Sequence, residues 1–233
     1  MDLKSKIILI AGPTASGKSN FALKLAKKIK GEIVNADSMQ VYKQLQILTA
    51  RPKKKDFKKI KHHLYGFCDV KKKYSTGDWL KLLFKKIKDI RKRKKVPIVV
   101  GGTGLYFKAL TDGLVKIPKI PMKLRNKIRL MQKKLGQKNF YNKLLKLDPL
   151  VKNKIDKNDI QRSIRAYEIK YQTKKSIIEW FKKTKVFFSS DEFIKFYIDY
   201  PRERLINRIN LRVEDMFRDA VIEEVQRFNK LKV

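Results

Sequence analysis

The chain alternates short apolar runs with longer segments whose apolar residues recur every three or four positions. The runs at 7–11, 32–36 and 97–100 are rich in β-branched residues and predict strands buried on both faces. The segments 18–30 and 76–94 each carry one apolar face and predict amphipathic helices. Because strands that alternate with helices form parallel sheets, we expect an α/β fold with helices flanking a parallel sheet.

The second half of the chain has a different pattern. Residues 121–183 show no strand pattern and predict consecutive helices, with a turn signal at Asp148-Pro149. We therefore expect a helical insertion domain over 118–185. The α/β core would then comprise residues 1–117 plus 186–233.

Shorter features complete the predicted core. Short helical pieces around 41–46 and a brief edge segment at 64–68 precede the second amphipathic helix. A return to the sheet is expected over 193–200, and Pro201, tolerated at a first helical position, then begins a long helix. The buried stripe of that helix would be Leu205, Ile209, Val213, Met216 and Ala220, beside a parallel row of Arg204, Arg208 and Arg212.

The first strand leads directly into a phosphate-binding motif. Gly12 to Ser19 match G-x-x-x-x-G-K-[ST], between a predicted strand and a predicted helix, which is the context that the motif requires. The loop's backbone N–H groups would wrap a diphosphate or triphosphate, helped by the positive end of the helix. Lys18 would neutralise the outer phosphate, and the Ser19 hydroxyl would hold Mg²⁺. The alternative is an ordinary Gly/Ser turn before a helix.

Two other predicted strands also end in polar residues. Asp37-Ser38 follow the second strand, and Gly102-Thr103 follow the third. Since ligands of parallel sheets bind at the carboxyl ends of the strands, these residues and the phosphate loop should share one active site. On local sequence alone, Asp37 could instead cap a helix and Thr103 could be a turn residue.

Charge narrows the choice of partner. The chain has 59 basic and 22 acidic residues, a net charge of +37, which indicates a polyanionic partner such as nucleic acid. A lysine-rich composition can also arise without function, and runs such as Lys53-Lys54-Lys55 read as solvated loop charge. One cysteine, Cys68, and an opening apolar run too short for a membrane span or signal peptide suggest a reducing cytoplasm and no membrane.

The order of motifs resembles one family. GPTASGKS, NADSMQVYKQ, TARP, KHHL, VGGTGLYFKAL, NDIQRSIRAYEI and PRERLINRINLR occur in the order typical of tRNA dimethylallyltransferases, also called tRNA isopentenyltransferases. The likeness extends over nearly the whole chain. It implies transfer of a dimethylallyl group from its diphosphate to the exocyclic amine of the adenosine beside the anticodon, with Mg²⁺. We expect the protein to be a monomer.

The resemblance also assigns roles to residues. Asp37 would be the general base, Thr103 and Arg125 would lie at the catalytic channel, and Arg212 would lie near the diphosphate together with Lys18. The diphosphate-binding set would be Gly12, Pro13, Thr14, Ala15, Ser16, Gly17, Lys18 and Ser19. The tRNA-binding set would be Asp37, Ser38, Met39, Gln40, Thr103, Arg125, Gln161, Arg162, Ser163, Ile164 and Arg165.

The chain departs from the family pattern at several places. Ala220 and Leu48 stand where the family usually has glycine, and the family's later Gly-Tyr-x-Glu and Arg-Gln-x-Thr-Trp segments do not occur. Two other functions therefore stay open at this point. One is a small-molecule or nucleotide kinase that binds ATP at the phosphate loop, with the insertion as a lid. The other is a truncated tRNA-binding remnant without activity.

Overall fold

The structure is a computed structural model, and it describes residues 3–57 and 59–231. The chain divides into two compact units, residues 1–111 with 187–233 and residues 112–186. The strands are β1 (Ile7–Ala11), β2 (Gly31–Asn35), β3 (His62–His63), β4 (Val96–Val100) and β5 (Phe193–Tyr197), and the helices are α1 (Lys18–Ile29), α2 (Thr76–Lys92), α3 (Gly104–Thr111), α4 (Met122–Leu147), α5 (Ile160–Thr173), α6 (Ile177–Phe181), α7 (Arg202–Arg218) and α8 (Val221–Asn229).

The first unit is built on a five-stranded parallel sheet in the order β3-β2-β4-β1-β5. Strands β2 and β4 are buried along their whole length, as is β1 up to its last residue, which explains their continuous apolar runs. Helix α2 buries Trp79, Leu83, Ile87 and Ile90 of the apolar face predicted for 76–94, and Leu82 of that face is half-buried. The predicted α/β class with a parallel sheet is confirmed.

A buried ion-pair network fixes the side of the sheet that carries β3. Glu32 on β2, whose side chain is 5% exposed, accepts a hydrogen bond from Nη2 of Arg93 at 2.7 Å and contacts Nε2 of His63 at 2.7 Å. Burial alone would raise the pKa of Glu32, but the hydrogen bonds from Arg93 and His63 hold it below its ordinary value. The network therefore joins two strands and the end of α2.

The second unit is helical. Helices α4, α5 and α6 surround an apolar cluster that includes Phe140, Leu144 and Ile169, all fully buried. Helix α4 is interrupted at Gly136, whose φ of 71° and ψ of 166° are not helical. Among the described residues of both units, no helix is long and apolar enough to cross a membrane.

Two of the smaller predictions were wrong. Residues 41–46 are not helical, because the backbone of Val41 and Lys43 pairs with Phe67 and Cys68 at 2.8–2.9 Å and Tyr42 forms a β-bridge with Cys68. The edge segment expected at 64–68 is replaced by β3, two residues earlier, where it pairs with β2.

The last predicted helix also differs. It ends at Arg218, and Ala220 adopts a left-handed conformation with φ 67° before α8 begins. No residue of α7 is buried; Leu205, Ile209 and Met216 are half-buried, and Val213 is 43% exposed. The predicted buried stripe was therefore wrong.

Candidate active site

A cavity of about 570 Å³ lies at the carboxyl ends of β1, β2 and β4. This is the edge where ligands of parallel sheets bind. The predicted residues that line it are Gly12, Pro13, Thr14, Ala15, Gly17, Lys18, Ser19, Asp37, Ser38, Met39, Gln40, Thr103 and Arg212. Ser16 is the one member of the predicted phosphate loop outside this lining: it is 5% exposed, and its hydroxyl has no protein partner among the described residues.

The phosphate loop has the backbone shape that its glycines allow. Gly12 has φ 154° and Gly17 has φ 92°, conformations that other residues rarely adopt. A Cβ at Gly12 would lie 2.7 Å from the carbonyl oxygen of Ile198, so the loop can approach the residue that follows β5 only with glycine there. Helix α1 begins at Lys18 with neither an acidic residue in its first turn nor a side-chain cap. Its first N–H groups and positive end therefore face the cavity as an anion site.

Three cations meet at this loop. Lys18 Nζ donates to the carbonyl oxygen of Pro13, and Nη1 of Arg212 donates to Oγ1 of Thr14 at 3.3 Å. Burial lowers the pKa of Lys18, and Arg212 lowers it further, while Asp37 acts in the opposite direction. Arg208 lines the same cavity, one helical turn before Arg212. Arg208 belongs to the predicted arginine row of α7, where it had no assigned role; two members of that row, Arg208 and Arg212, line the cavity.

Asp37 is held by a backbone turn of its own. Its Oδ1 accepts the N–H of Met39 at 2.9 Å, and its N–H donates to Oδ1 of Asn35 at 2.9 Å. Fully buried Asn35 also donates through Nδ2 to the carbonyl oxygens of Asp37 at 2.9 Å and Leu64 at 3.0 Å. Asn35 thus fixes the end of β2 beneath the carboxylate. Asn35 opens the family motif NADSMQVYKQ, but its sequence position predicted only a strand residue and not these hydrogen bonds.

Thr103 links two of the three loops. Its Oγ1 accepts the N–H of Ser38 at 2.9 Å and lies 3.3 Å from Oγ of Ser38, while its own N–H donates to Ala36 at 3.2 Å. A Cβ at Gly101 would lie 2.1 Å from the carbonyl oxygen of Ala36, so these backbones touch. The loops after β2 and β4 therefore form one wall.

The cavity lining also includes Gln40, Ala50 and Tyr65. Gln40 Nε2 donates to the carbonyl oxygens of Thr49 at 2.9 Å and Ala50 at 3.2 Å, which leaves its Oε1 as an acceptor. Burial raises the pKa of Tyr65, and the nearby Asp37 raises it further, so the phenol stays neutral. No role was predicted for Tyr65 or Ala50, although Ala50 lies in the family motif TARP.

The remaining predicted residues lie in the second unit. Arg125 and Arg165 both pair with the buried carboxylate of Glu168, at 3.4 and 3.3 Å. The Arg162 side chain is 75% exposed and pairs with Asp159 at 3.3 Å, and Gln161 is exposed. Ser163 and Ile164 are buried in the unit, so exposed side chains of this stretch belong to Gln161, Arg162 and, in part, Arg165.

Comparison with known proteins points to one family. The IPP transferase family model matches residues 40–232. A tRNA dimethylallyltransferase of Pelagibacter ubique is 64% identical over 233 residues, all of this chain and 74% of that protein. One from Rickettsia felis is 41% identical over 228 residues, covering 97% of this chain and 74% of the relative.

Solved structures agree with the sequence comparison. The crystal structure of a eukaryotic dimethylallyltransferase acting on tRNA matches with a TM-score of 0.82 and 32% identity, over 97% of this chain and 56% of that one. The tRNA isopentenylpyrophosphate transferase of Bacillus halodurans matches with a TM-score of 0.63 and 30% identity, over 97% of this chain and 70% of that one. The chain thus spans about three quarters of the two relatives above and just over half of the eukaryotic enzyme.

Proposed function

We propose a function from one premise: the chain belongs to the IPP transferase family. Its activity is tRNA prenylation, as a tRNA dimethylallyltransferase. We infer that the donor is dimethylallyl diphosphate and that the acceptor is the exocyclic amine of the adenosine beside the anticodon. One observation carries this inference: a single cavity is lined by both a phosphate loop and the Asp37 carboxylate.

The phosphate loop suits a departing diphosphate. As the C–O bond of the donor breaks, the diphosphate takes the electron pair and gains negative charge. Lys18, Arg208 and Arg212 line the cavity on the side of the loop, and Arg212 already contacts Thr14. Fixed donors and cations placed where charge develops lower the barrier, because they need no reorganisation during the reaction.

Asp37 suits the proton-transfer half of the reaction. The amine of adenine is a weak nucleophile because its lone pair is delocalised into the ring. As the new C–N bond forms, a carboxylate within hydrogen-bond reach can accept the amine proton, an effect worth about 10²–10⁴-fold. Two hydrogen bonds hold this carboxylate at the cavity wall. One joins Oδ1 of Asp37 to the N–H of Met39, and the other joins Oγ1 of Thr103 to the N–H of Ser38.

The residues present also fit Mg²⁺. This ion prefers oxygen ligands and keeps only one or two from the protein, with water and phosphate oxygens completing its octahedron. The Ser19 hydroxyl lies in the cavity lining with the Asp37 carboxylate, so the donor set is of the right chemical kind. Ser19 would hold the ion, which would supply charge neutralisation of the diphosphate.

The acceptor would be the anticodon loop of a tRNA. A base in a loop leaves its stack at low cost and can enter a pocket of this size. Net charge of +37 supports binding of a polyanion, and Gln161, Arg162, Arg165 and Arg125 are the candidate contacts in the second unit. We further propose that the protein acts as a monomer in the cytoplasm, where tRNA and a reduced Cys68 would coexist.

A direct assay separates this function from its rivals. The protein is incubated with tRNA, dimethylallyl diphosphate and Mg²⁺, and the nucleosides are analysed by mass spectrometry. A parallel reaction contains ATP and candidate phosphate acceptors. A dimethylallyl group on the adenosine beside the anticodon supports the proposal. Phosphoryl transfer from ATP would support a kinase, and tRNA binding without product would support an inactive remnant; either result would overturn it.

A further inference from the structure

Helix α8 carries a buried carboxylate with an unusual set of partners. Glu224 is 6% exposed, and its two oxygens accept hydrogen bonds from three consecutive backbone N–H groups. Oε1 accepts from Gln46 at 2.8 Å and Ile47 at 3.0 Å, and Oε2 accepts from Ile47 at 3.0 Å and Leu48 at 2.9 Å. Successive N–H groups that converge in this way form an anion-binding concavity. Here the anion is a side chain of the protein itself.

The segment that Glu224 binds, residues 46–51, is called the clamp loop below. Its other end is held by Gln40, whose Nε2 donates to the carbonyl oxygens of Thr49 and Ala50. Within the loop, the N–H of Ala50 donates to Ile47 at 2.8 Å, and Ala50 adopts φ 49°. Ala50 also lines the active-site cavity. Glu224 and Gln40 therefore hold the two halves of a loop that contributes Ala50 to the cavity lining.

The conformation of the chain before α8 directs Glu224 to this loop. Ala220 is left-handed, which ends α7 and reorients the chain before α8 begins at Val221. Val221 and Glu224, three positions apart on one helical face, are the two buried residues of α8. The intervening Glu223 is exposed. Arg51 lies close enough to Glu224 to feel its charge, so the buried carboxylate has a nearby cation as well.

We infer that Glu224 is a positioning residue for the acceptor side of the active site. Without its carboxylate, three partly buried N–H groups lose their acceptor, and the clamp loop shifts to regain hydrogen bonds from water. That shift moves Ala50 and releases Gln40, both of which line the cavity. The hydrogen bonds of Glu224 go to the clamp loop and not to the phosphate loop, so the larger effect falls on the part of the lining formed by Gln40 and Ala50. The inference rests on the proposed function, since it assigns this part of the lining to the acceptor base.

The experiment compares three variants with the unmodified chain. Glu224→Ala removes both acceptors, Glu224→Gln keeps one oxygen and has nearly the same shape, and Glu223→Gln is the control on the exposed face of the same helix. Three quantities are measured: amide hydrogen exchange at residues 46–48, the affinity for inorganic pyrophosphate by calorimetry, and steady-state prenylation at varied tRNA and varied dimethylallyl diphosphate.

We expect a graded, selective effect. Exchange at the amides of 46–48 accelerates in Glu224→Ala and less in Glu224→Gln, and kcat/KM for tRNA falls about tenfold or more in the alanine variant because buried donors lose their acceptor. Pyrophosphate affinity falls by a smaller factor than kcat/KM for tRNA, because Glu224 makes its hydrogen bonds to the clamp loop and not to the phosphate loop. A merely destabilised protein would instead lose active fraction, lowering kcat and pyrophosphate stoichiometry together without changing KM.

Each remaining outcome overturns the inference. Unchanged exchange at 46–48 in Glu224→Ala would mean that the carboxylate does not hold the clamp loop. Equal losses of kcat/KM for tRNA and of pyrophosphate affinity would mean that Glu224 acts on the whole fold, as would an equal effect of Glu223→Gln. Failure of the proposed function can be distinguished from failure of this inference. The unmodified chain would then show no prenylation, whereas amide exchange at 46–48 would still show whether Glu224 holds the clamp loop.

Discussion

Replacement of Asp37 by asparagine tests the proposed chemistry with little change in structure. The side chain of asparagine has the same shape, and its Oδ1 can still accept the N–H of Met39 that Asp37 accepts at 2.9 Å. The bonds that Asn35 makes to the backbone of residue 37 do not involve the side chain that changes. The variant therefore loses the basicity of one carboxylate and keeps the turn that holds it.

The size of the effect follows from the role assigned to the carboxylate. A positioned general base contributes about 10²–10⁴-fold, so Asp37→Asn should lower kcat by that factor, or about 2.7–5.4 kcal/mol at 1.36 kcal/mol per decade. The affinity for tRNA should be nearly unchanged, because the group acts on the amine proton and not on the backbone. Single-turnover prenylation and filter binding of labelled tRNA measure the two quantities.

A matched control exists in the same unit. Oδ1 of Asp69 accepts the N–H two residues ahead, from Lys71, at the same distance of 2.9 Å, but Asp69 does not line the active-site cavity. Asp69→Asn should leave kcat within about twofold, since separate sites without shared partners act independently. If Asp37→Asn retains the turnover of the unmodified chain, Asp37 is not the base. If Asp69→Asn is equally impaired, the loss reflects the turn and not the proton.

Three further predictions concern RNA binding and stability. The double variant Arg162→Ala, Arg165→Ala should weaken tRNA binding. If both arginines contact phosphates of an unpaired loop, the slope of log affinity against log salt concentration should decrease in magnitude by about 1.4. An unchanged slope would show that these residues do not belong to the interface. Ala220→Gly should raise the free energy of unfolding by about 1 kcal/mol, because the left-handed conformation costs alanine about 1–2 kcal/mol, and a lower melting temperature would refute this. Glu32 has a depressed pKa in the folded state, so its stabilising contribution is fully present above its ordinary value of 4.5 and is lost as the pH falls through the folded value. Urea unfolding at pH 7 and pH 4 should therefore show a smaller acid loss in Glu32→Gln, and an equal loss would mean that another group sets the acid sensitivity.

The sheet could be predicted because its signals are local. Apolar runs such as Ile7–Ala11 are long, rich in β-branched residues and bounded by glycine or polar residues, so both their type and their limits followed from sequence. The segment 41–46 could not be predicted in this way. Its conformation depends on pairing with Cys68, a contact that no periodicity reveals. The end of α7 at Arg218 likewise depends on Ala220 taking a backbone conformation that favours glycine.

The residues of the candidate site also divide into those that the sequence could predict and those that it could not. Residues of the phosphate loop could be assigned because the motif fixes both spacing and backbone shape, as Gly12 and Gly17 illustrate. Asn35 and Glu224 could not, because their importance lies in hydrogen bonds to backbone groups distant in sequence. Arg208 gave a partial signal, since it shares a helix face with Arg212. The residues proposed to react or to bind phosphate could thus be predicted from the sequence, whereas the residues that position them could be identified only from the structure.

The contact between Gly101 and Ala36 has a genetic consequence. Any side chain at position 101 must displace the carbonyl next to Asp37, since a Cβ would lie only 2.1 Å from that oxygen. A single-base change that replaces this glycine would therefore reduce the activity of the enzyme, although every residue that takes part in the reaction is still present in the sequence. A natural variant that retains all of the proposed catalytic residues would therefore not necessarily be functional. The presence of glycine at position 101 should also be checked before such a gene is counted as encoding an active enzyme.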